Sequence, residues 1–104
     1  MTNVSPLPGA GQDGLVGQYT NITTNATTTV KSGNGKLIRI IFNGPVATGT
    51  VTIYDNTAAS GTKIGTITTP ASPQPQSIEF GLSFNTGLTI VTATAAQDIT
   101  VVWG

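Results

Sequence analysis

The sequence predicts an all-β fold: a single antiparallel β-sandwich of about seven to eight short strands, with an extended N-terminal arm. Three observations carry that prediction. First, 20 Thr, 10 Ile and 8 Val stand among 104 residues, and β-branched side chains suit a pleated, half-buried surface. Second, Leu, Ala, Gln, Glu, Lys, Arg and Met together number only 25, and no window sustains helical periodicity. Third, Gly, Pro, Asn and Asp recur as turn signals between short alternating runs.

Residues 1–17 form the expected arm and residues 18–104 the sandwich domain. Pro6, Pro8, Gly9, Gly11, Gly14 and Gly17 punctuate the arm, while Val4, Leu7, Leu15 and Val16 are its sizeable apolar groups. So little apolar surface does not offset the entropy of ordering the segment by itself. The arm is therefore expected to be held against something else, most simply a neighbouring chain.

Strands are expected at residues 18–23 and 26–31, two Thr-rich runs that are suited to pair with each other. Ser32-Gly33-Asn34-Gly35 reads as a hairpin turn, because Asn-Gly accepts the positive φ that tight hairpins need. Residues 36–43 follow, with Ile38, Ile40 and Phe42 predicted on one face and Leu37, Arg39 and Ile41 on the other. The next strand, 49–55, turns Val51 and Ile53 inward, and a small polar loop, 55–61, leads into residues 63–68. Pro70, Pro73 and Pro75 cannot join a central ladder and close that stretch. Residues 77–84 alternate cleanly, with Ile78, Phe80, Leu82 and Phe84 inward. Asn85-Thr86-Gly87 turns the chain into 88–94, and 98–103 ends it with Ile99, Val101 and Trp103 on one face.

Charge and composition exclude several functions. Lys31, Lys36, Arg39 and Lys63 balance Asp13, Asp55, Glu79 and Asp98, and charged residues make up 8% of the chain, against roughly 25% in an average domain. Such a surface is a poor match for a phosphate backbone, so no nucleic-acid partner is expected. It also lacks the net charge that keeps small monomers apart, which suits a surface covered by other protein. The longest aliphatic run, Ile40-Ile41-Phe42, is far shorter than a membrane span. The first residues show neither a basic n-region nor an apolar h-region, so no secretory leader is expected. Without Cys there is no disulfide framework.

The constellations of catalysis want for parts. With no His and no Cys, nucleophilic catalysis by Ser or Thr lacks its usual base, and Lys31-Ser32 reads as a strand running into a turn. No two of the four carboxylates are placed to converge on a glycosidic bond. Zinc lacks its ligands, and Asp55-Asn56-Thr57 reads as an Asx turn in preference to a calcium loop. Ser32-Gly33-Asn34-Gly35-Lys36 lacks Walker spacing and leads into a strand. The sequons at Asn21 and Asn25 are chance matches in a chain so rich in Asn and Thr. No enzyme activity, cofactor or metal is expected. A sugar platform would have to draw on Tyr19, Tyr54 and Trp103. The segment 37–42 is apolar on both faces, and in a small antiparallel sandwich the outward face is normally polar. Leu37 and Ile41 are therefore expected to need a cover, either the chain's own arm or a neighbouring subunit.

Three phrases resemble small β-sandwich virion structural proteins of tailed bacteriophages: Tyr19-Thr-Asn-Ile-Thr-Thr-Asn-Ala-Thr-Thr-Thr-Val-Lys-Ser-Gly, Thr50-Val-Thr-Ile-Tyr-Asp-Asn-Thr-Ala-Ala-Ser-Gly-Thr-Lys-Ile-Gly, and Asp98-Ile-Thr-Val-Val-Trp. The likeness runs from Tyr19 to Trp103. It implies a non-enzymatic capsid decoration (cement) protein bound to the major capsid protein, synthesised in the host cytoplasm and located on the capsid surface of the virion. The resemblance further implies a homo-oligomer, with a trimer favoured. A tail, neck or fibre adaptor is the alternative, and a glycan-binding module a more distant one. The candidate interface comprises Leu7, Leu15, Val16, Tyr19, Leu37, Ile41, Tyr54 and Trp103.

Overall fold

The computed structural model describes residues 17–104. Of the expected arm only Gly17 is included, so Leu7, Leu15 and Val16 lie outside the described residues. The described chain is all-β: β1 (Gln18–Ile22), β2 (Thr27–Ser32), β3 (Gly35–Gly44), β4 (Thr50–Asp55), β5 (Thr62–Thr68), β6 (Gln76–Phe84), β7 (Gly87–Ala93) and β8 (Asp98–Trp103). These bounds follow the sequence pattern to within one or two residues, because β-branched runs and Gly, Pro and Asn breaks coincide with them.

Two four-stranded sheets result, ordered β1-β8-β3-β6 and β2-β7-β4-β5. All pairings are antiparallel, and four of them are nested: β1 with β8, β2 with β7, β3 with β6, β4 with β5. The chain is thus one long double-stranded ribbon, rolled so that β8 also meets β3 and β7 also meets β4. That is the strand order of a jelly roll, an architecture that stacks two sheets and leaves four edge strands.

The topology corrects two local expectations. The runs at 18–23 and 26–31 do not pair, since β1 and β2 belong to different sheets. The Ser32–Gly35 turn is likewise an arch between sheets instead of a hairpin, with its positive φ at Gly33 (97°) and not at Asn34. Of the connections between strands, only β4 to β5 joins direct partners. A turn signal records that the chain reverses; which sheet receives it depends on burial far along the sequence.

The core lies between the sheets. Ile40, Phe42, Val51, Ile53, Phe84, Leu88, Ile90, Ile99 and Val101 are all buried, each worth about 1.5–3 kcal/mol relative to exposure. By contrast, Arg39–Glu79, at 2.9 Å, is an exposed ion pair, and exposed pairs contribute about 0–1 kcal/mol. Apolar burial therefore holds the fold.

Strand β3 departs from strict alternation. Leu37 is fully buried in the core, together with Ile40 and Phe42, and Ile38 takes the outward position expected of Leu37. The register shifts between Leu37 and Arg39 against both β6 and β8. A β-bulge adds one residue and reverses which face the following side chains reach. Leu37 is consequently a core residue and not part of an interface, which corrects its place among the candidates.

Candidate interaction surface

The outward face of the first sheet is built from odd-numbered residues of β1, even-numbered residues of β8 and the post-bulge residues of β3. One register row places Tyr19, Val102, Arg39 and Glu79 side by side, and the next aligns Asn21, Thr100, Ile41 and Ser77. Tyr19 is 76% exposed, while Ile38, Ile41 and Val102 are half-buried. The polar part of this face is bonded within itself. Asn21 Nδ2 donates to Asp98 Oδ1 at 2.8 Å and Asn43 Nδ2 to Thr100 Oγ1 at 2.9 Å. Arg39 Nε donates to Glu79 at 2.9 Å and Ser77 Oγ donates to the same carboxylate at 3.1 Å. With those groups satisfied by one another, the apolar members and Tyr19 remain available for contact with another surface.

At one end of this sheet lies an open depression of about 870 Å³, bordered by Gly17, Lys36, Ile38, Leu82 and Ser83 among others, with Lys31 of β2 contributed from the second sheet. No carboxylate side chain lines it. Gly17 sits close against the sheet: a Cβ there would stand 2.8 Å from Ile38 Cδ1, 2.9 Å from Trp103 O and 3.0 Å from Val102 Cγ1. Only glycine allows so near an approach.

The carboxylates among the described residues serve the fold. Asp55 reaches across to the turn between β6 and β7 and accepts from the backbone N–H groups of Asn85 (3.0 Å), Thr86 (2.8 Å) and Gly87 (3.4 Å). The Thr86 and Asn85 amides hold its carboxyl below the usual carboxylate range. The Arg39 guanidinium does the same for Glu79, helped by Ser77. Asp98 accepts from Asn21 and Asn43. Among the described residues no three His, Cys, Asp or Glu side chains cluster as metal ligands do.

The candidate residues are thus only partly brought together. Tyr19 and Ile41 share the outward face of the first sheet. Trp103 is turned inward beside the core, where its indole N–H donates to Thr20 Oγ1 at 3.1 Å and Lys31 Nζ lies 5.8 Å from its ring centre. Tyr54 belongs to β4 in the second sheet. The three aromatics considered for a sugar platform therefore do not form one surface. Ile38 and Val102 were not anticipated on the contact face. The signal for Ile38 was Gly81, an isolated glycine in the otherwise clean alternation of 77–84, since such a glycine often marks a bulge. Gly81 has φ +59° and stands opposite the irregular stretch of β3.

Polar residues with structural roles were also overlooked. Gln97 is 1% exposed; its Oε1 accepts from Val46 N at 2.6 Å and its Nε2 donates to Val46 O at 2.8 Å. Thr69 Oγ1 donates to Val46 O at 2.6 Å and accepts from Gly49 N at 2.8 Å. Together they stitch the β3–β4 loop to its neighbours. Comparison of the chain with protein-family models, with curated proteins and with solved structures gave no match.

Proposed function

We propose that this chain is a non-enzymatic structural protein of a tailed-bacteriophage virion, a capsid decoration protein that binds the assembled head through the outward face of its first sheet. The observation that carries the reading is that face: Tyr19 at 76% exposure beside half-buried Ile38, Ile41 and Val102, with its polar groups already paired. The phrases of sequence that resemble phage virion proteins support it. So does the topology, by analogy alone, since jelly rolls serve as viral capsid domains, lectins and cupins. Of those uses, a metal-centred site lacks His and Cys in this sequence, and a lectin platform lacks aromatics on one surface.

The mechanism is mass action. A protein that binds the assembled lattice and not its dissociated subunits raises the free energy of disassembly by an amount set by its concentration relative to Kd. A homo-oligomer, a trimer by resemblance, would multiply weak single contacts through avidity.

The test is co-sedimentation with assembled phage heads, together with light scattering of the purified chain. The expected result is an oligomer that binds heads. Ile41→Glu and Tyr19→Glu are expected to keep the subunit's stability within about 1 kcal/mol while weakening attachment by tenfold or more, as burying an unpaired charge does. Binding to tails or necks alone would reassign the chain as an adaptor. A monomer that binds no virion part refutes the proposal.

A further inference from the structure

Each four-stranded sheet ends in two edge strands, β1 and β6 in the first and β2 and β5 in the second. An edge offers a row of unpaired N–H and C=O groups to any extended chain, and natural sheets guard against this with charged side chains and β-bulges. Three of the four edges carry both devices. β2 has Lys31 and one extra residue against β7, between Thr29 and Lys31. β5 has Lys63 and one extra residue against β4, between Lys63 and Gly65. β6 has Glu79 and one extra residue against β3, between Glu79 and Leu82.

β1, Gln18-Tyr19-Thr20-Asn21-Ile22, has neither. It holds no charged residue, and its five residues pair with β8 without a shift. In such a ladder alternate residues bond the neighbour, so the backbone groups of the others face away from the sheet. No described strand pairs with them. Tyr19, 76% exposed, stands on this edge. We infer that β1 is a pairing edge and that its partner is β1 of a second copy, antiparallel about a two-fold axis at Thr20. That axis sets Thr20 against Thr20 of the second copy, Tyr19 against Asn21, and Gln18 against Ile22. No charges meet along the contact, and Thr–Thr pairs stabilise antiparallel strands. A net charge of zero gives the copies no long-range repulsion. A foreign strand would need a charge or a pocket to select it. A second copy needs neither, because a two-fold contact is complementary to itself. The two first sheets then join into one, with both Tyr19 side chains near the middle of its outward face. Five residues make a small contact, so the association is weak and concentration-dependent. The pairing does not rest on the virion reading, and it gives a dimer where the resemblance implies a trimer.

The absence of Cys allows a test of the register itself. Tyr19 and Asn21 are exposed, so cysteine at either leaves the fold intact. Residues directly opposite lie within disulfide reach, whereas like residues of the two copies sit on a diagonal, roughly 7–8 Å apart and too far to bridge. Full-length Tyr19→Cys and Asn21→Cys chains are mixed in equal amounts in a glutathione buffer, and the disulfide products are measured by mass spectrometry. The mixed disulfide is expected to exceed the two like disulfides together by about tenfold, as the effective concentration in register requires. Random encounter makes the two amounts equal, and that result overturns the inference. Sedimentation of the parent chain at rising concentration is expected to show monomer and dimer. Combining Tyr19→Lys with Asn21→Lys sets lysine opposite lysine and is expected to weaken the dimer by about tenfold or more. A parent that stays monomeric overturns the inference, and so does a dimer that the double variant leaves unchanged. A trimer in place of the dimer overturns it too, and leaves the virion reading standing.

Discussion

Leu37 and Ile38 are adjacent, similar in size and opposite in fate, so truncating each to alanine tests the bulge that decides between them. Leu37→Ala removes three carbons from a side chain with no exposed surface. At about 0.8 kcal/mol per buried carbon the transfer loss is about 2.4 kcal/mol, and the incompletely filled cavity raises the total to about 3–4 kcal/mol. Ile38 is half-buried on the outward face, and the same truncation there is expected to cost about 1 kcal/mol. Urea unfolding followed by the fluorescence of Trp103, the single tryptophan, reads both numbers, and unchanged m values would show that two-state behaviour is kept. Strict alternation without a bulge, with Ile38 in register with Ile40 and Phe42, predicts the reverse order. If Ile38→Ala proves the costlier change, the assignment of Leu37 to the core and of Ile38 to the contact face fails together.

Two further substitutions probe the loops. Gln97→Met keeps side-chain volume but leaves Val46 N–H without its acceptor, while Val46 O retains Thr69; the loss is expected at about 1–2 kcal/mol, and a urea midpoint within error of the parent's would show that water replaces Gln97. Asp55 has a folded pKa below its unfolded value, so its stabilising contribution is present above about pH 4 and is lost as pH falls through the folded pKa. Asp55→Asn is expected to flatten the decline in stability between pH 6 and pH 3, measured by urea midpoints, and an equally steep decline in the variant would count against the Asp55 clamp.

Strand positions were legible in the sequence because they depend on local chemistry: β-branched runs, alternation and breaking residues. The partners of those strands were not. Residues 18–23 and 26–31 look alike and lie close together, yet Thr20 sits opposite Val101 and Thr28 opposite Ile90. Pairing is decided by which arrangement buries both apolar faces at once, a property of the whole chain. The contact face was half legible for a related reason. The doubly apolar character of 37–42 was visible, but the bulge exchanged Leu37 for Ile38, and parity through a bulge is not written in the strand that carries it. The hydroxyl and amide ties had no sequence signal at all. Thr69, Thr92 and Gln97 resemble their exposed counterparts in type, and only the backbone groups they meet distinguish them: Thr92 Oγ1, for example, donates to Thr24 O at 2.7 Å and accepts from Ala26 N at 3.0 Å.

The nested ribbon also explains how a chain with so few charges and such distant pairings is held in one register. Every strand but β4 and β5 finds its ribbon partner far along the sequence: Phe42 opposite Gln76, Thr27 opposite Val91, Gln18 opposite Trp103. Closing any of these loops from an open chain carries an entropic cost that grows with its length. Once Asp55 and Thr62 are paired in the β4–β5 hairpin, however, only the short loops 45–49 and 69–75 separate it from the β3–β6 pair. The same holds for each pair outward. Polar side chains sit where this succession needs them: the buried Thr69 and Gln97 at the β3–β4 loop, the buried Thr92 at the β1–β2 loop, and the less buried Asp55 at the β6–β7 turn. Each ties down backbone groups of a loop or turn, among them Val46 N, Gly49 N, Thr24 O and Thr86 N, and a buried group of this kind left unpaired costs about 1–3 kcal/mol. Threonine is suited to both tasks, since its branched Cβ favours the strand and its hydroxyl both donates and accepts at the loop. The threonine richness is therefore tied to the topology itself, and the outward face of the first sheet is left free to make contacts that the fold does not require.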